Sequence, residues 1–197
     1  MKKVKKWISI SGLLVAASLF IMSCNNASKQ EDNKASAENS EIKVADGSMA
    51  TANLSGTVKD TVLTGTVNFT QENEKVKMNL SLSIPIMANK SVAVHIHEMG
   101  DCGDMGKMAH GHWNPTNQQH GKWGSASFHS GDIGNVSLDA AGKGTMELET
   151  DLWSIGGNEK TNILNRSIIV HGGVDDFTSQ PSGNAGSRIG CGVIVKK

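Results

Sequence analysis

The chain has 197 residues, of which 38% are hydrophobic, 4% are aromatic, 22 are glycine and 3 are proline. This size and composition fit one or at most two β-rich globular domains and exclude a multidomain assembly. Basic and acidic residues both number 19, so the chain lacks the strong positive field that draws proteins onto nucleic acid. We therefore expect no nucleic-acid partner.

Residues 1–23 have the pattern of a signal peptide. Four lysines and no acidic residue precede an apolar run from Trp7 to Met22, which serine and glycine interrupt and which is too short to span a bilayer comfortably. We therefore expect an exported protein. Removal of this segment leaves 15 basic against 19 acidic residues, so the mature chain is mildly acidic.

The apolar run ends in Ser23 and Cys24, which resembles a bacterial lipobox, where the cysteine is lipidated after cleavage. An ordinary signal peptide is the alternative, but a lipid on Cys24 leaves an even pair of cysteines for a disulfide. Residues 24–48 are polar and cannot bury enough apolar surface to fold, which predicts a flexible tether. These features predict a folded domain over 49–197, lipid-anchored to a membrane of the bacterial cell envelope, on its periplasmic side or surface.

From Ala50 onward, apolar residues recur with the two-residue period of half-buried antiparallel strands. The pattern runs through 62–69 and 76–84, and further runs lie at 91–97, 144–150, 167–171 and 190–195. No segment has a helical period longer than two turns, so we predict an all-β sandwich or flattened barrel of seven or eight strands. Two long glycine-rich connections, at about 98–132 and 172–188, exceed the usual loop length and are where we expect the chemistry.

All seven histidines lie between His95 and His171, which indicates a metal site. His95 and His97 are two residues apart in a predicted strand, so both side chains project from the same face of the sheet. His171 ends a β-branched run and also has a fixed strand position. The first long connection adds further candidate ligands, which are His112, His120, His129 and Asp132.

The chemistry of these donors favours two different metals. A set made only of imidazoles suits copper, whereas histidines completed by one carboxylate suit tetrahedral zinc. Six histidines and one aspartate fall one short of two four-coordinate sites, unless one imidazole binds a metal through each ring nitrogen. A deprotonated imidazolate can do so.

Several strings in the chain are similar to those of the copper/zinc superoxide dismutases, over about Leu54 to Val195. They are His95–Glu98, Gly111–Pro115, His120–Lys122, His129–Asn135, Val170–His171 with Asp175–Asp176, and Gly183–Arg188 with Cys191–Val193. The resemblance implies a Greek-key antiparallel β-sandwich with two long functional loops. It also implies copper and zinc as cofactors, superoxide as substrate, and dismutation to dioxygen and hydrogen peroxide by a redox-cycling copper.

The resemblance also assigns roles to individual residues. Copper would be held by His95, His97, His112 and His171, and zinc by His112, His120, His129 and Asp132. His112 would bridge the two metals and carry a proton, and Asp175 would link a zinc histidine to a copper histidine, here His120 and His95. Cys102 and Cys191 would form the family disulfide. Arg188 would attract and orient the anion beside copper.

Two other functions remain open at this point, namely a copper-delivery module without turnover and a structural sandwich that binds zinc alone. The connection before Arg188 lacks the charged steering segment of the animal enzymes, which leaves Arg188 and two lysines, Lys107 and Lys122, as candidates for steering. His110 matches no ligand position; it is either an accessory copper-capturing group or a solvated loop residue. Apolar strand faces serve cores and interfaces alike, so a monomer and a homodimer both fit.

Overall fold

The computed structural model of the protein describes residues 47–197. The predicted signal peptide, the lipidation site at Cys24 and nearly all of the predicted tether lie outside the described residues. Within 47–197, no helix has the length and hydropathy that crossing a membrane requires.

The described region consists of short strands joined by turns and loops, with two single-turn 3₁₀ helices, Pro85–Met87 and Lys107–Ala109. The strands are β1 (Met49–Gly56), β2 (Thr64–Glu72), β3 (Lys75–Ser83), β4 (Ser91–His97), β5 (Gly134–Ser137), β6 (Lys143–Thr150), β7 (Ser167–His171), β8 (Arg188–Val193) and β9 (Val195–Lys196).

The strands form one sheet in the order β5-β4-β7-β8-β1-β2-β3-β6, in which every neighbouring pair is antiparallel, and β9 adds to β1. The two ends of this order, β5 and β6, are consecutive in the chain and are joined by a tight turn in which Asp139 accepts hydrogen bonds from the backbone of Ala141 and Lys143. The sheet therefore curls into a nearly closed barrel. This confirms the predicted all-β Greek-key fold, whose eight principal strands match the predicted number.

Alternation of side chains builds the core of this barrel. In β3, Val76, Met78, Leu80 and Leu82 point inward and are buried, while the lysines and polar residues between them are more exposed. Burying such side chains is worth about 1.5–3 kcal/mol each before the entropy cost of ordering them.

The strands differ most from the prediction at three places. The regular period of β2 begins at Thr64, because Val62 is 71% exposed and lies before the strand. Strand β5 was missing from the prediction because its four residues, GNVS, contain only one large apolar side chain. Strand β8 begins at Arg188 and not at Gly190, because Arg188 pairs with His171 across a bulge in β7.

Strand β4 is buried on both faces, unlike the other long strands. Val92, Val94 and Ile96 belong to the barrel core. The opposite face carries His95 and His97, which are at most 1% exposed because the two long connections cover them. The fold thus creates a second buried region outside the barrel wall, and that region is polar.

Candidate metal centre

Backbone pairing brings the predicted ligands together on the outside of the barrel. The connection between β4 and β5 spans 98–133, and that between β7 and β8 spans 172–187. His112, in the first connection, pairs with His97 of β4 through an isolated antiparallel bridge. His171 lies at the end of β7, the strand next to β4. Three histidines are therefore positioned by main-chain hydrogen bonding before any metal is considered.

The first cluster consists of four buried histidines whose ligand atoms all lie within 4.8 Å of one another, namely His95, His97, His112 and His171. Each has one buried ring nitrogen without a hydrogen-bond partner: Nδ1 of His95 and Nε2 of the other three. Unsatisfied buried polar atoms are rare because they are costly. Four of them in one place fit a metal ion that accepts imidazole nitrogen.

The other ring nitrogen has a hydrogen-bond partner in all four histidines, and that of His112, Nδ1, donates to Asp132 Oδ1 at 2.8 Å. His97 Nδ1–H donates to the backbone oxygen of His110 at 2.8 Å, and His171 Nδ1–H donates to that of Gly186 at 3.2 Å. His95 Nε2–H donates to Asp175 Oδ2 at 2.9 Å. These bonds fix both the tautomer and the ring orientation, as outer hydrogen bonds do in metal sites.

The second cluster surrounds one carboxylate and consists of His112, His120, His129 and Asp132. The Nδ1 atoms of the three histidines lie 2.8, 3.0 and 3.1 Å from oxygens of Asp132, in that order. The contact from His120 has the distance but not the direction of a hydrogen bond, since its Nδ1 has no hydrogen-bond partner. Three nitrogens and one carboxylate at this spacing fit the tetrahedral ligand set of zinc.

Burial keeps His112 and His171 neutral and therefore able to bind metal. Desolvation, reinforced by neighbouring histidines, lowers the pKa of His112 to about 4 and that of His171 to about 3. Burial alone would raise the pKa of Asp132, but hydrogen bonds from His112, His129 and backbone N–H groups hold it well below its ordinary value. At neutral pH, His112 and His171 are thus neutral imidazoles and Asp132 is an ionised carboxylate.

The two clusters share one residue and one outer carboxylate. His112 belongs to both, with Nε2 facing the first cluster and Nδ1 facing the second. Asp175 accepts from His95 on one oxygen and from His120 Nε2 on the other, each at 2.9 Å. Sequence reasoning named both residues, and the structure places them between the clusters.

A cavity of about 610 Å³ opens onto the first cluster. Arg188 lines it and is held by three backbone oxygens, since its guanidinium donates to Gly106 and His110 at 2.6 Å each and to Lys107 at 3.5 Å. Of the two lysines considered for steering, Lys107 lines this cavity, whereas Lys122 lies over the ring of Phe177. His110 lines the cavity as well, but it belongs to neither cluster.

The sequence did not indicate two residues that support the metal ligands and their neighbours. Asn135 holds Asp175 in place, because its amide donates to the backbone oxygen of Asp175 and accepts from the backbone N–H of Asp175. Arg166 packs its guanidinium 4.3 Å from the ring centroid of Trp113, beside His112, and donates to the backbone oxygen of Glu98. These contacts join positions 40 to 68 residues apart, and a single sequence carries no signal for them.

The predicted disulfide between Cys102 and Cys191 is confirmed and ties the first connection to β8. Its sequence separation is 89 residues, for which the chain-entropy model gives about 4 to 5 kcal/mol of stabilisation. We expect Cys102→Ala with Cys191→Ala to lower the free energy of unfolding of the metal-free protein by about that amount. Denaturant titration measures it, and a loss below about 1 kcal/mol would show that the closed loop contributes little.

A nearly closed antiparallel barrel that carries two adjacent clusters sharing one histidine defines a dinuclear metalloprotein. Comparison with known families agrees, because residues 63–194 match the family model described as copper/zinc superoxide dismutase (SODC). The chain belongs to the copper/zinc superoxide dismutase family. This is a family of oxidoreductases with copper and zinc as cofactors and superoxide as substrate, and the resemblance found in the sequence is thereby confirmed.

Individual relatives support the same conclusion. The "Superoxide dismutase [Cu-Zn]" of Paramecium bursaria Chlorella virus 1 is 35% identical over 190 residues, which covers 93% of each chain. The "Superoxide dismutase [Cu-Zn] 1" of Aquifex aeolicus is 34% identical over 134 residues, covering 66% of this chain and 79% of the relative. Among solved structures, the clock protein EA4 aligns with a TM-score of 0.67 at 30% identity, covering 77% of this chain and 96% of that one.

Proposed function

We propose that this chain dismutates superoxide at the centre described above, with copper in the first cluster and zinc in the second. The observation that carries the proposal is the shared ring of His112, which offers one nitrogen to each cluster. The first cluster contains imidazoles only, as copper accepts, and the second is completed by a carboxylate, as zinc prefers. The reaction converts two superoxide anions and two protons into dioxygen and hydrogen peroxide.

The residues around the centre have separate tasks in this proposal. When bound, copper supplies a one-electron redox couple, and zinc supplies a fixed positive charge beside the shared ring. Arg188 provides the positive group that attracts and orients the anion in the cavity. With zinc in place of the proton at Nδ1, His112 can take up a proton from solvent at Nε2 and pass it to the product. Asp175 keeps the rings of His95 and His120 in their binding orientation.

Metal removal tests the proposal directly. We expect the full chain to bind one copper and one zinc and to dismutate superoxide, to lose activity when copper is chelated, and to regain it when copper is restored. A chain that binds copper but has no activity would instead be a delivery module. A chain that holds zinc alone and keeps its stability during copper chelation would be a structural sandwich.

Removal of the Arg188 charge should slow the reaction without loss of copper or zinc from the centre. We expect Arg188→Ala to lower the rate about 10- to 100-fold and to weaken its dependence on ionic strength, because charge at a cleft raises the encounter rate of a small anion. The rate of Arg188→Lys should lie between that of Arg188→Ala and that of wild type, because lysine keeps the positive charge but lacks the planar guanidinium with its several donors. Copper loss in Arg188→Ala, measured by metal analysis, would contradict a role in anion attraction.

We further propose that the chain is exported and anchored in a bacterial cell envelope through a lipid on Cys24. The support is the sequence of residues 1–24, which has a lysine-rich start, an apolar run and a cysteine at its end. Mass spectrometry should show the mass of a lipid on the mature wild-type chain and none on Cys24→Ala. An unmodified Cys24 in the membrane fraction would overturn the anchor.

A further inference from the structure

The turn that carries two ligands of the second cluster is held from two sides. Residues 129–132 form a tight turn, in which the backbone N–H of Asp132 donates to the oxygen of His129 at 3.0 Å. On one side, Gly131 ties the turn to β4 and to Trp113. Its N–H donates to the backbone oxygen of Trp113, and its oxygen accepts from the backbone N–H of Ile96 in β4. These ties are made by the main chain and do not depend on side-chain identity.

The tie on the other side is a single side chain. Trp153 is 1% exposed, and its indole Nε1–H donates to the backbone oxygen of Ser130 at 2.8 Å. Ser130 lies between the ligands His129 and Asp132 and is itself buried. Loss of this donor would leave a buried carbonyl unsatisfied inside the turn, which is costly enough to shift the turn.

A row of aromatic rings holds this indole in place. Trp153 contacts Phe69 of the barrel core at 6.1 Å between ring centroids and Trp123 at 5.3 Å. Trp123 in turn contacts Phe128 at 5.1 Å, and Phe128 directly precedes His129. Such edge and tilted ring contacts have preferred geometries. The indole N–H is therefore directed at Ser130 by a rigid support that reaches into the core.

We propose that Trp153 is a positioning residue for the second metal site, acting through the Ser130 carbonyl on the placement of His129 and Asp132. Among the described residues, Trp123 makes ring contacts in the same row but no hydrogen bond from its indole. Burial alone would give Trp153 a packing role. The structure shows that its one polar atom contacts the ligand turn, which packing does not require.

The matched pair Trp153→Phe and Trp123→Phe tests this proposal in the full chain loaded with copper and zinc. Both variants keep an aromatic ring, but only the first removes a hydrogen bond. We expect zinc release to a chelator to be about tenfold faster in Trp153→Phe, within the range for outer partners of metal ligands, and close to wild type in Trp123→Phe. Copper release should differ little between the two variants, whereas the thermal midpoint of the metal-free protein should fall further in Trp153→Phe, which leaves the Ser130 carbonyl unsatisfied.

Equal zinc release from the two variants, or equal acceleration of zinc and copper release in Trp153→Phe, would overturn the proposal. If Trp153→Phe does not fold, hydrogen exchange at the two indole N–H groups of the wild type decides instead. We expect zinc to slow exchange at Trp153 more than at Trp123, and equal slowing would contradict the proposal. The inference rests on zinc occupying the second cluster. If the wild type binds no zinc, the proposed function is wrong. If the wild type binds zinc and zinc release is unchanged in Trp153→Phe, only this inference is wrong.

Discussion

Replacing His171 with alanine is expected to reduce superoxide dismutation by more than about 100-fold, a larger loss than outer partners of metal ligands cause. His171 lies at the end of β7 and supplies one of the four unpaired ring nitrogens of the first cluster. Its loss leaves three nitrogens for copper. The second cluster does not include His171, so zinc content should stay near one per chain. Metal analysis paired with a superoxide assay measures both quantities.

His110→Ala is the matched control for this variant. His110 lines the same cavity but belongs to neither cluster, and its backbone carbonyl, which supports His97 and Arg188, remains in the variant. We expect its copper content and activity to stay close to wild type. Unchanged activity in His171→Ala would remove the copper assignment. Reduced copper content in His110→Ala would instead support the idea that this residue captures copper.

The fold was predictable because its strands follow the period-two rule. The alternation in β3 is complete, and its four inward side chains are all buried. The rule failed where burial is not one-sided or where the strand is very short. Strand β5 offers too few apolar residues to show a period, and β8 begins with Arg188, whose place is set by pairing with His171. Long-range pairing of this kind is not encoded in local sequence patterns.

The candidate site was predictable as a set of residue types but not as a set of contacts. The spacing of His95 and His97 fixes their common face, and the resemblance to a family supplied the grouping of the other ligands. Neither source shows that Asp175 is itself held by Asn135, or that the indole of Trp153 reaches Ser130. Such supports depend on how the two long connections fold over the sheet, and glycine-rich connections carry little local pattern.

Gly183→Ala is expected to weaken both metal sites at once. A Cβ atom at position 183 would overlap Oδ1 of Asp175 and lie 2.5 Å from Nε2 of His120, so the hydrogen bond between these two groups could not form. Asp175 also holds His95, and a displaced carboxylate therefore disturbs a ligand of each cluster. We expect both copper and zinc affinity to fall about 10- to 100-fold, as reported by chelator competition. Asp175→Ala should reproduce this result.

Gly124→Ala separates this crowding from backbone strain. Gly183 and Gly124 both have positive φ, +66° and +79°, so alanine is strained at either position, by about 1 kcal/mol or more. A Cβ atom at Gly124 meets nothing within 4 Å, although Gly124 lies in the connection that carries the second cluster. We expect the metal-free Gly183→Ala variant to lose more stability than metal-free Gly124→Ala, because the overlap with Asp175 adds to the strain, and we expect a loss of metal affinity in Gly183→Ala alone. Wild-type affinity in Gly183→Ala would show that Asp175 does not set the geometry of the centre, and weakened binding in both variants would assign the effect to strain.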